Sequence, residues 1–507
     1  MPEVFLRVTP HSRLGKISPY IPILDELSRG GVIVRLPALW LRFCLLFLLG
    51  LLLFFSLNHW RQGSALQPSL EPLPQDPLIQ VYFNHSQAAT YTEPYRQQER
   101  LGDDLEQVIV EAIATAQSSI DIASQEFRLP RIAQALQEKQ RAGVRVRVIV
   151  ENEYSRPWSS YTPEEVGQLD ERQQGKYLEF LQLADQNQDG QLASAEISQR
   201  DALVMLQQSQ IPVIDDTADG SKGSDLMHHK FLVIDRRWVI VTSANLTTSD
   251  VHGDFLSLES RGNANNLVKI DSPELAQLYT REFELMWGDG PGGALDSNFG
   301  LQKSPRPAQT VTLAPGSTVT VQFSPTSTSL PWQQSTNGLV GRALNIATRT
   351  VDVALFVFSD QNLSNVLQTR HQRGVQVRAL IDSGFIHRDY SEALDMMGVA
   401  MKNRRCRYEE GNQPWSGAIA TVGTPNLAEG DLLHHKFSLV DEHLVITGSQ
   451  NWSAAANHSN DENLLVIDNP AVAAHFHREF ERLYEGASLG LPTFVQQKIR
   501  EEQTRCP

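Results

Sequence analysis

Apolar positions along the chain come in short bursts with two different spacings. Val81-Tyr82-Phe83, Ile120-Asp121-Ile122-Ala123 and Val144-Arg145-Val146-Arg147 are short and strand-like, while Leu105 to Ala116 and Gly338 to Ala347 carry the helical period. Phe231 to Ile234 is a continuous apolar run of the length of a buried strand. The resulting strand, helix, strand order predicts an α/β fold.

The pattern also repeats. Ile120-Asp121-Ile122-Ala123 returns as Val351-Asp352-Val353-Ala354, and Gly143-Val144-Arg145-Val146-Arg147 returns as Gly374-Val375-Gln376-Val377-Arg378, both at one fixed offset. A constant offset over separate strands predicts a duplicated domain. The predicted halves span 79–288, opened by Val81-Tyr82-Phe83, and 317–490, opened by Val321-Gln322-Phe323. They are joined by a linker at 289–316, within a stretch rich in Gly, Pro, Ser and Thr, and followed by a tail at 491–507.

A third pattern lies near the amino terminus. Phe43 to Leu57 is almost wholly apolar and, with Leu36 to Leu41, reaches about 20 residues, long enough to span a bilayer. Up to Arg42 there are six Lys or Arg against three acids, whereas the remainder is strongly acidic. This asymmetry predicts a cytoplasmic segment at 1–37, a single membrane span at 38–60, a linker at 61–78 and an extracytoplasmic body. Gly63-Ser64-Ala65 keeps cleavage of a signal peptide, and secretion, as the rival expectation.

Chemistry concentrates in a string that occurs twice. His228-His229-Lys230 leads through an apolar run to Asp235, and His434-His435-Lys436 leads in the same way to Asp441. Each is followed by a small polar turn holding Ser243 and Asn245, or Ser449 and Asn451. In an extended strand, His-x-Lys places both side chains on one face. A neutral imidazole beside an ammonium suits attack at phosphorus with charge neutralised on the phosphoryl oxygens.

These paired elements resemble those of the phospholipase D superfamily. The resemblance implies two similar α/β domains about a pseudo-twofold axis, with one active site at their interface. It implies His228 and His434 as nucleophile and general acid, their order left open. Lys230, Lys436, Asn245 and Asn451 would line the phosphate pocket, with Ser243 and Ser449 supporting the turns. Asp235 and Asp441 would complete the set by stabilising the site rather than reacting. Glu462 matches the carboxylate that accepts from the far nitrogen of a catalytic histidine, while Asn265 stands at the corresponding place of the first half. An amide stabilises imidazolium less than a carboxylate does, so the two histidines are expected to differ in basicity.

Gly143 to His228 is about 25 residues longer than Gly374 to His434, and the excess falls in an insertion at about 160–206. It contains Asp185, Asn187, Asp189, Gly190, Gln191 and Glu196 at the spacing of an EF-hand calcium loop. Oxygens would come from positions one, three and five, a carbonyl from Gln191, and a bidentate carboxylate from Glu196. Calcium is therefore expected there, while catalysis itself requires no cofactor. No second loop of this kind occurs in the sequence.

Composition narrows the substrate. The chain of 507 residues has a formal net charge of -15, and its basic cluster Lys402, Arg404, Arg405, Arg407 is small. That argues against a broad grip on a polyanionic backbone. A membrane tether raises the effective concentration of lipid. The expected activity is hydrolysis of a phospholipid diester by a chain made monomeric through internal duplication. A tethered nuclease acting on nucleic acid, a phosphatidyl transferase of the cardiolipin synthase kind, and a non-catalytic calcium-dependent binding protein follow in that order. Of three cysteines, Cys44 lies in the apolar span, leaving Cys406 and Cys506 as one candidate pair.

Overall fold

In a computed structural model, residues 67–221 and 223–506 are described. The predicted cytoplasmic segment and membrane span lie outside these residues, as does the first part of the linker, 61–66. Among the described residues no helix is long and apolar enough to cross a membrane.

The first half contributes β1 (Ile79–Phe83), β2 (Ser119–Ser124), β3 (Arg145–Val150), β4 (Val213–Asp215), β5 (Lys230–Ile234), β6 (Trp238–Thr242) and β7 (Asn266–Asp271). They hydrogen-bond in the order β1-β7-β6-β5-β2-β3-β4. The second half contributes β8 (Ser317–Phe323), β9 (Thr350–Leu355), β10 (Gln376–Ile381), β11 (Val422–Thr424), β12 (Lys436–Val440), β13 (Leu444–Gly448) and β14 (Asn463–Asp468). Their order, β8-β14-β13-β12-β9-β10-β11, is the same. Two further strands, Gln309–Leu313 and Ser488–Leu489, extend its edges.

The sequence echo has a physical basis in this register. Asp121 lies opposite Arg147 on parallel β2 and β3, and Asp352 opposite Arg378 on β9 and β10. Each arginine grips its aspartate through two bonds of 2.7 and 2.9 Å. Bidentate geometry of this kind is the strong form of an ion pair.

Each sheet is covered on its outer face by its own apolar cluster, and the inner faces share a third. Helices α1 (Pro273–Trp287) and α2 (Pro470–Tyr484) fill that shared layer. Both begin with proline after a capping Ser272 or Asn469, a good helix start because proline lacks an N–H that the first turn cannot use. Tyr279 of α1 stands edge-on to Phe231 at 5.0 Å and to Phe323 of the other half at 5.1 Å. Phe476 of α2 repeats this with Phe437 and Phe83, both at 5.1 Å. Burying one such ring stabilises by about 1.5–3 kcal/mol, and edge-to-face pairing adds about 0.5–1.5 kcal/mol. The halves are thus locked by reciprocal aromatic contacts.

Two stretches that read as connectors are built into the body. In the predicted linker 289–316, Lys303 is buried and ion-pairs with Glu282 at 2.5 Å and Asp461 at 2.7 Å, and Gly300 donates to Asp461. In the predicted tail, helix Thr493–Arg505 is tied back by a Cys406–Cys506 disulfide with a Cα–Cα distance of 5.3 Å.

Candidate active site at the seam of the two halves

Each His-x-Lys segment enters its strand from the seam. Met227 bridges to Asp461, and Ala264 bridges to Leu433. His228 N donates to Asp461 O at 2.9 Å, and His434 N donates to Ala264 O at 3.1 Å. The chain just before β14 therefore runs beside His228, and the chain just before β7 beside His434. This places Glu462 against the histidine of the opposite half: His228 Nδ1 lies 2.7 Å from Glu462 Oε2. His434 Nδ1 lies 3.1 Å from Asn265 Oδ1. The sequence did not reveal that the partners are exchanged, because strand pairing across the seam leaves no periodic trace.

His228 and His434 line one cleft of about 990 Å³ together with Asn245 and Asn451. The amide oxygen of neither asparagine has a protein partner. Behind them are Lys230 and Lys436, each 1% exposed. Lys230 Nζ donates to Gln125 Oε1 at 3.1 Å and to His228 O at 3.0 Å, whereas Lys436 Nζ donates to His434 O at 2.6 Å and sits 5.1 Å over the Phe356 ring. Neither ammonium has a carboxylate in direct contact among the described ion pairs. Burial lowers both, Lys230 to about 8 and Lys436 well below the usual ammonium range. An enclosed anion would relieve that cost.

Burial, reinforced by these ammonium groups, also drives both histidines well below the usual imidazole range. Burial pushes Glu462 up to about 7, against the opposing pull of Lys230, Ser449 and Asn460. An ionised Glu462 fixes the proton on His228 Nδ1 and leaves Nε2 as the lone pair. Ser243 Oγ donates to Asn265 Oδ1 at 2.7 Å, and Ser449 Oγ accepts from Asn463 N at 3.0 Å, so both serines support their turns.

Asp235 and Asp441 lie elsewhere. Each sits at the far end of its strand, in a turn with positive φ. Asp235 accepts from the backbone N–H groups of Gln117, Ser118 and Ser119, and Asp441 from those of Thr348, Arg349 and Thr350. This corrects their grouping with the catalytic residues: they clamp the turn to the start of β2 or β9. The sequence reading also missed Asp250, whose Oδ1 lies 3.3 Å from His434 Nδ1.

The insertion forms one wall of the cleft. Helix α3 (Glu171–Ala184) contributes Arg172, Lys176, Glu179, Phe180 and Leu183, facing Arg128 and Trp158. Lys176 pairs with Glu126, and Glu179 accepts from the N–H groups of Phe255 and Leu256. In the loop after α3, Asp185 accepts from Asp189 N and Gly190 N, while Glu196 accepts from Gln186 N and Ala193 N. Asn187 and Asp189 accept from Asp189 N and Gln191 N respectively. The side-chain oxygens thus accept from the loop's own N–H groups, and Gly190 has φ 78°. Among the described residues no group of three or more His, Cys, Asp or Glu is arranged to hold a metal ion.

Residues 109–287 and 340–484, well over half of the chain, match the family model described as cardiolipin synthase, PLD-like domain. The chain belongs to this family. Among PLD-like relatives, mitochondrial cardiolipin hydrolase of Mus musculus is 32% identical over 34% of this chain and 68% of its own length. Phospholipase D of Rickettsia bellii is 26% identical over 26% of this chain and 54% of its own. The chain thus spans about half to two thirds of the length of such relatives. The crystal structure of phosphatidylserine synthase from Haemophilus influenzae Rd KW20 matches with a TM-score of 0.50 at 13% identity, over 86% of this chain and 96% of that one. That likeness concerns the PLD-like fold alone.

Proposed function

We propose that this PLD-like protein is a phosphodiesterase that hydrolyses a phospholipid headgroup diester through a phosphohistidine. The observation that carries the reading is that His228 and His434, one from each half, line one cleft with Asn245 and Asn451, with the buried ammonium groups of Lys230 and Lys436 directly behind them. His228 Nε2 attacks phosphorus, and the bond to the leaving alkoxide breaks as His434 protonates it. Lys230, Lys436, Asn245 and Asn451 meet the phosphoryl oxygens as charge develops. Water then attacks the phosphohistidine, giving its proton to His434 and breaking the P–N bond. The direct Glu462 contact favours His228 as nucleophile, because that ring must carry positive charge throughout the covalent intermediate.

A lipid is favoured by the lining of the cleft, where Trp158, Phe180, Leu183, Leu226, Phe356 and Leu432 accompany Leu256, itself 56% exposed. Relatives named cardiolipin hydrolase and phospholipase D support the same class. A nuclease is the second reading, supported by Arg128, Arg172 and Lys176 along the wall. Tethering through 38–60, with the body extracytoplasmic, belongs to the same proposal, as does calcium bound by Asp185, Asn187, Asp189, Gln191 and Glu196. Each half supplies one histidine, so a monomer suffices.

The test is an assay of the full chain in mixed micelles against phosphatidylcholine, cardiolipin and single-stranded DNA, with water or an added alcohol as acceptor. Release of headgroup, lost in both His228→Ala and His434→Ala, is expected. Cleavage of DNA alone, or activity surviving in both variants, overturns the reading. Calcium is tested by isothermal titration calorimetry, with heat expected for the native chain and none for Glu196→Gln.

A further inference from the structure

The two histidines meet their opposite halves through different groups. At His228 the residue just before β14, Glu462, supplies a carboxylate, and seven positions beyond Ser449, in the short helix Ala454–His458, stands Ala456. At His434 the residue just before β7 is Asn265, an amide, and seven positions beyond Ser243, in the short helix Thr248–Val251, stands Asp250. The first half therefore has an amide before its strand and a carboxylate in the short helix, where the second half has a carboxylate before its strand and an alanine in the helix.

Hydrogen bonds explain how the exchange works. Asn265 Nδ2 donates to Asp250 O at 2.9 Å and to Asp250 Oδ1 at 3.2 Å. That leaves Asn265 Oδ1 facing His434 Nδ1 and the Ser243 hydroxyl. Asp250 Oδ1 also accepts from Asn263 Nδ2 at 2.8 Å, and Oδ2 accepts from Asn245 N at 3.0 Å. The side chain is 5% exposed, and His434 is its ion-pair partner at 3.3 Å. Lys436, Lys230, His228 and His435 face His434 and all oppose its protonation. A carboxylate at Nδ1 counters them, and its negative charge is what an amide lacks.

We propose that Asp250 is the positioning carboxylate of His434, holding its proton on Nδ1 and stabilising the imidazolium from which the leaving oxygen is protonated. This rests on the reading of His434 as the general acid. Asp250 acts through the histidine and touches no reacting atom.

The experiment compares leaving groups. Phosphatidylcholine must release an alcohol and needs a proton, whereas phosphatidyl-p-nitrophenol releases a stable anion and does not. With full-length protein in mixed micelles, Asp250→Asn is expected to lower kcat on phosphatidylcholine about 10–100-fold at unchanged KM. The first-turnover burst of p-nitrophenolate should stay within about threefold of the parent protein, as expected where protonation contributes little. Adding Asn265→Glu to Asp250→Asn, which places the carboxylate at the position before β7, should restore part of the loss on phosphatidylcholine. Equal slowing of both substrates, or slowing of neither, overturns the proposal, because a structural role would not distinguish the leaving groups. Full phosphatidylcholine activity in His434→Ala would instead overturn the reading of the site itself. An inactive His434→Ala beside an unaffected Asp250→Asn would sink this inference alone.

Discussion

The two halves share one strand order and differ at the seam, and the difference shows what duplication keeps and what it releases. Kept are the pieces that set geometry: the β2–β3 and β9–β10 ion pairs, the ring contacts of α1 and α2, and the turn clamps Asp235 and Asp441. Released are the pieces that tune the two imidazoles. His228 has Glu462 at 2.7 Å, while His434 has Asn265 with Asp250 at 3.3 Å. Lys230 has a Gln125 carbonyl, and Lys436 lies over the Phe356 ring. The first half alone carries α3. Two unlike histidines suit two unlike tasks in one reaction.

The strongest way to break this comparison is to remove each imidazole. His228→Ala should abolish both turnover and the covalent intermediate, a loss of at least about 10³-fold. His434→Ala should cut turnover on phosphatidylcholine by about 10²–10⁴-fold yet still accumulate phosphohistidine from phosphatidyl-p-nitrophenol, because attack and departure need no proton there. Acid-quench trapping with labelled substrate decides it. Label retained in His228→Ala and lost in His434→Ala would reverse the assignment.

Next in size is Glu462→Gln, expected to lower kcat about 10²-fold, as removing the partner that orients a catalytic histidine does. The same group sets a pH dependence. Glu462, held up near 7 by burial, must be ionised to accept from His228 Nδ1, so kcat/KM should fall as pH drops below about 7. Lys230, lowered by burial to about 8, and Lys436, also lowered by burial, must both stay charged to meet the phosphoryl group, so kcat/KM should fall again on the alkaline side, at about 8 or below. A narrow bell for the free protein follows, and its acid limb should disappear in Glu462→Gln. A persistent acid limb in that variant would assign it to another group.

Smaller effects should follow from the wall unique to the first half. Phe180→Ala together with Leu183→Ala removes apolar lining, and KM for phosphatidylcholine should rise about 10-fold or more with kcat little changed, since one lost apolar contact is worth about 1–3 kcal/mol of substrate selectivity. Micelle-based kinetics read this directly. A fall in kcat at constant KM would instead point to disturbance of the Lys176–Glu126 contact beside the site.

The α/β class and the duplication were legible because both rest on period and offset, which a sequence records. The residues of the cleft were legible because His-x-Lys fixes a face of a strand and the Ser-x-Asn turns follow it. Which carboxylate serves which histidine was not. Glu462 reaches His228 through the bridge of Met227 with Asp461, and Asn265 reaches His434 through that of Ala264 with Leu433, and pairing between segments so distant has no local signature. Asp250 was missed because a single Asp in a short polar stretch carries no pattern; it lies in the short helix Thr248–Val251, where its carboxylate also accepts from Asn245 N. Asp235 and Asp441 were misplaced for the opposite reason. They fall within the motif, but five residues of extended chain beyond Lys230 or Lys436 carry them to the far end of the strand.

That far end supplies a control for the whole comparison. If the halves differ only where they tune chemistry, equivalent structural substitutions should cost the same on both sides. Asp235 takes three backbone N–H groups and the Ser118 hydroxyl, and Asp441 takes three N–H groups and the Thr348 hydroxyl. Asp235→Ala and Asp441→Ala should each destabilise by about 0.5–1.5 kcal/mol, because the donors of Gln117, Ser118, Thr348 and Arg349 are exposed and can turn to water, while only the bonds from Ser119 N and Thr350 N are partly buried. Partial burial opposes ionisation of both aspartates, yet these bonds outweigh it and hold each below the usual carboxylate range. A lowered carboxylate contributes stability that is present above its unfolded value and lost as pH falls through its folded value. The penalty of each variant should therefore be full at pH 7 and shrink in acid below about 4. Urea unfolding at pH 7 and pH 3 measures this, with activity per folded molecule unchanged at pH 7. A loss confined to one variant would mean that the halves unfold separately, and the reciprocal aromatic layer of α1 and α2 would then be weaker than its geometry implies.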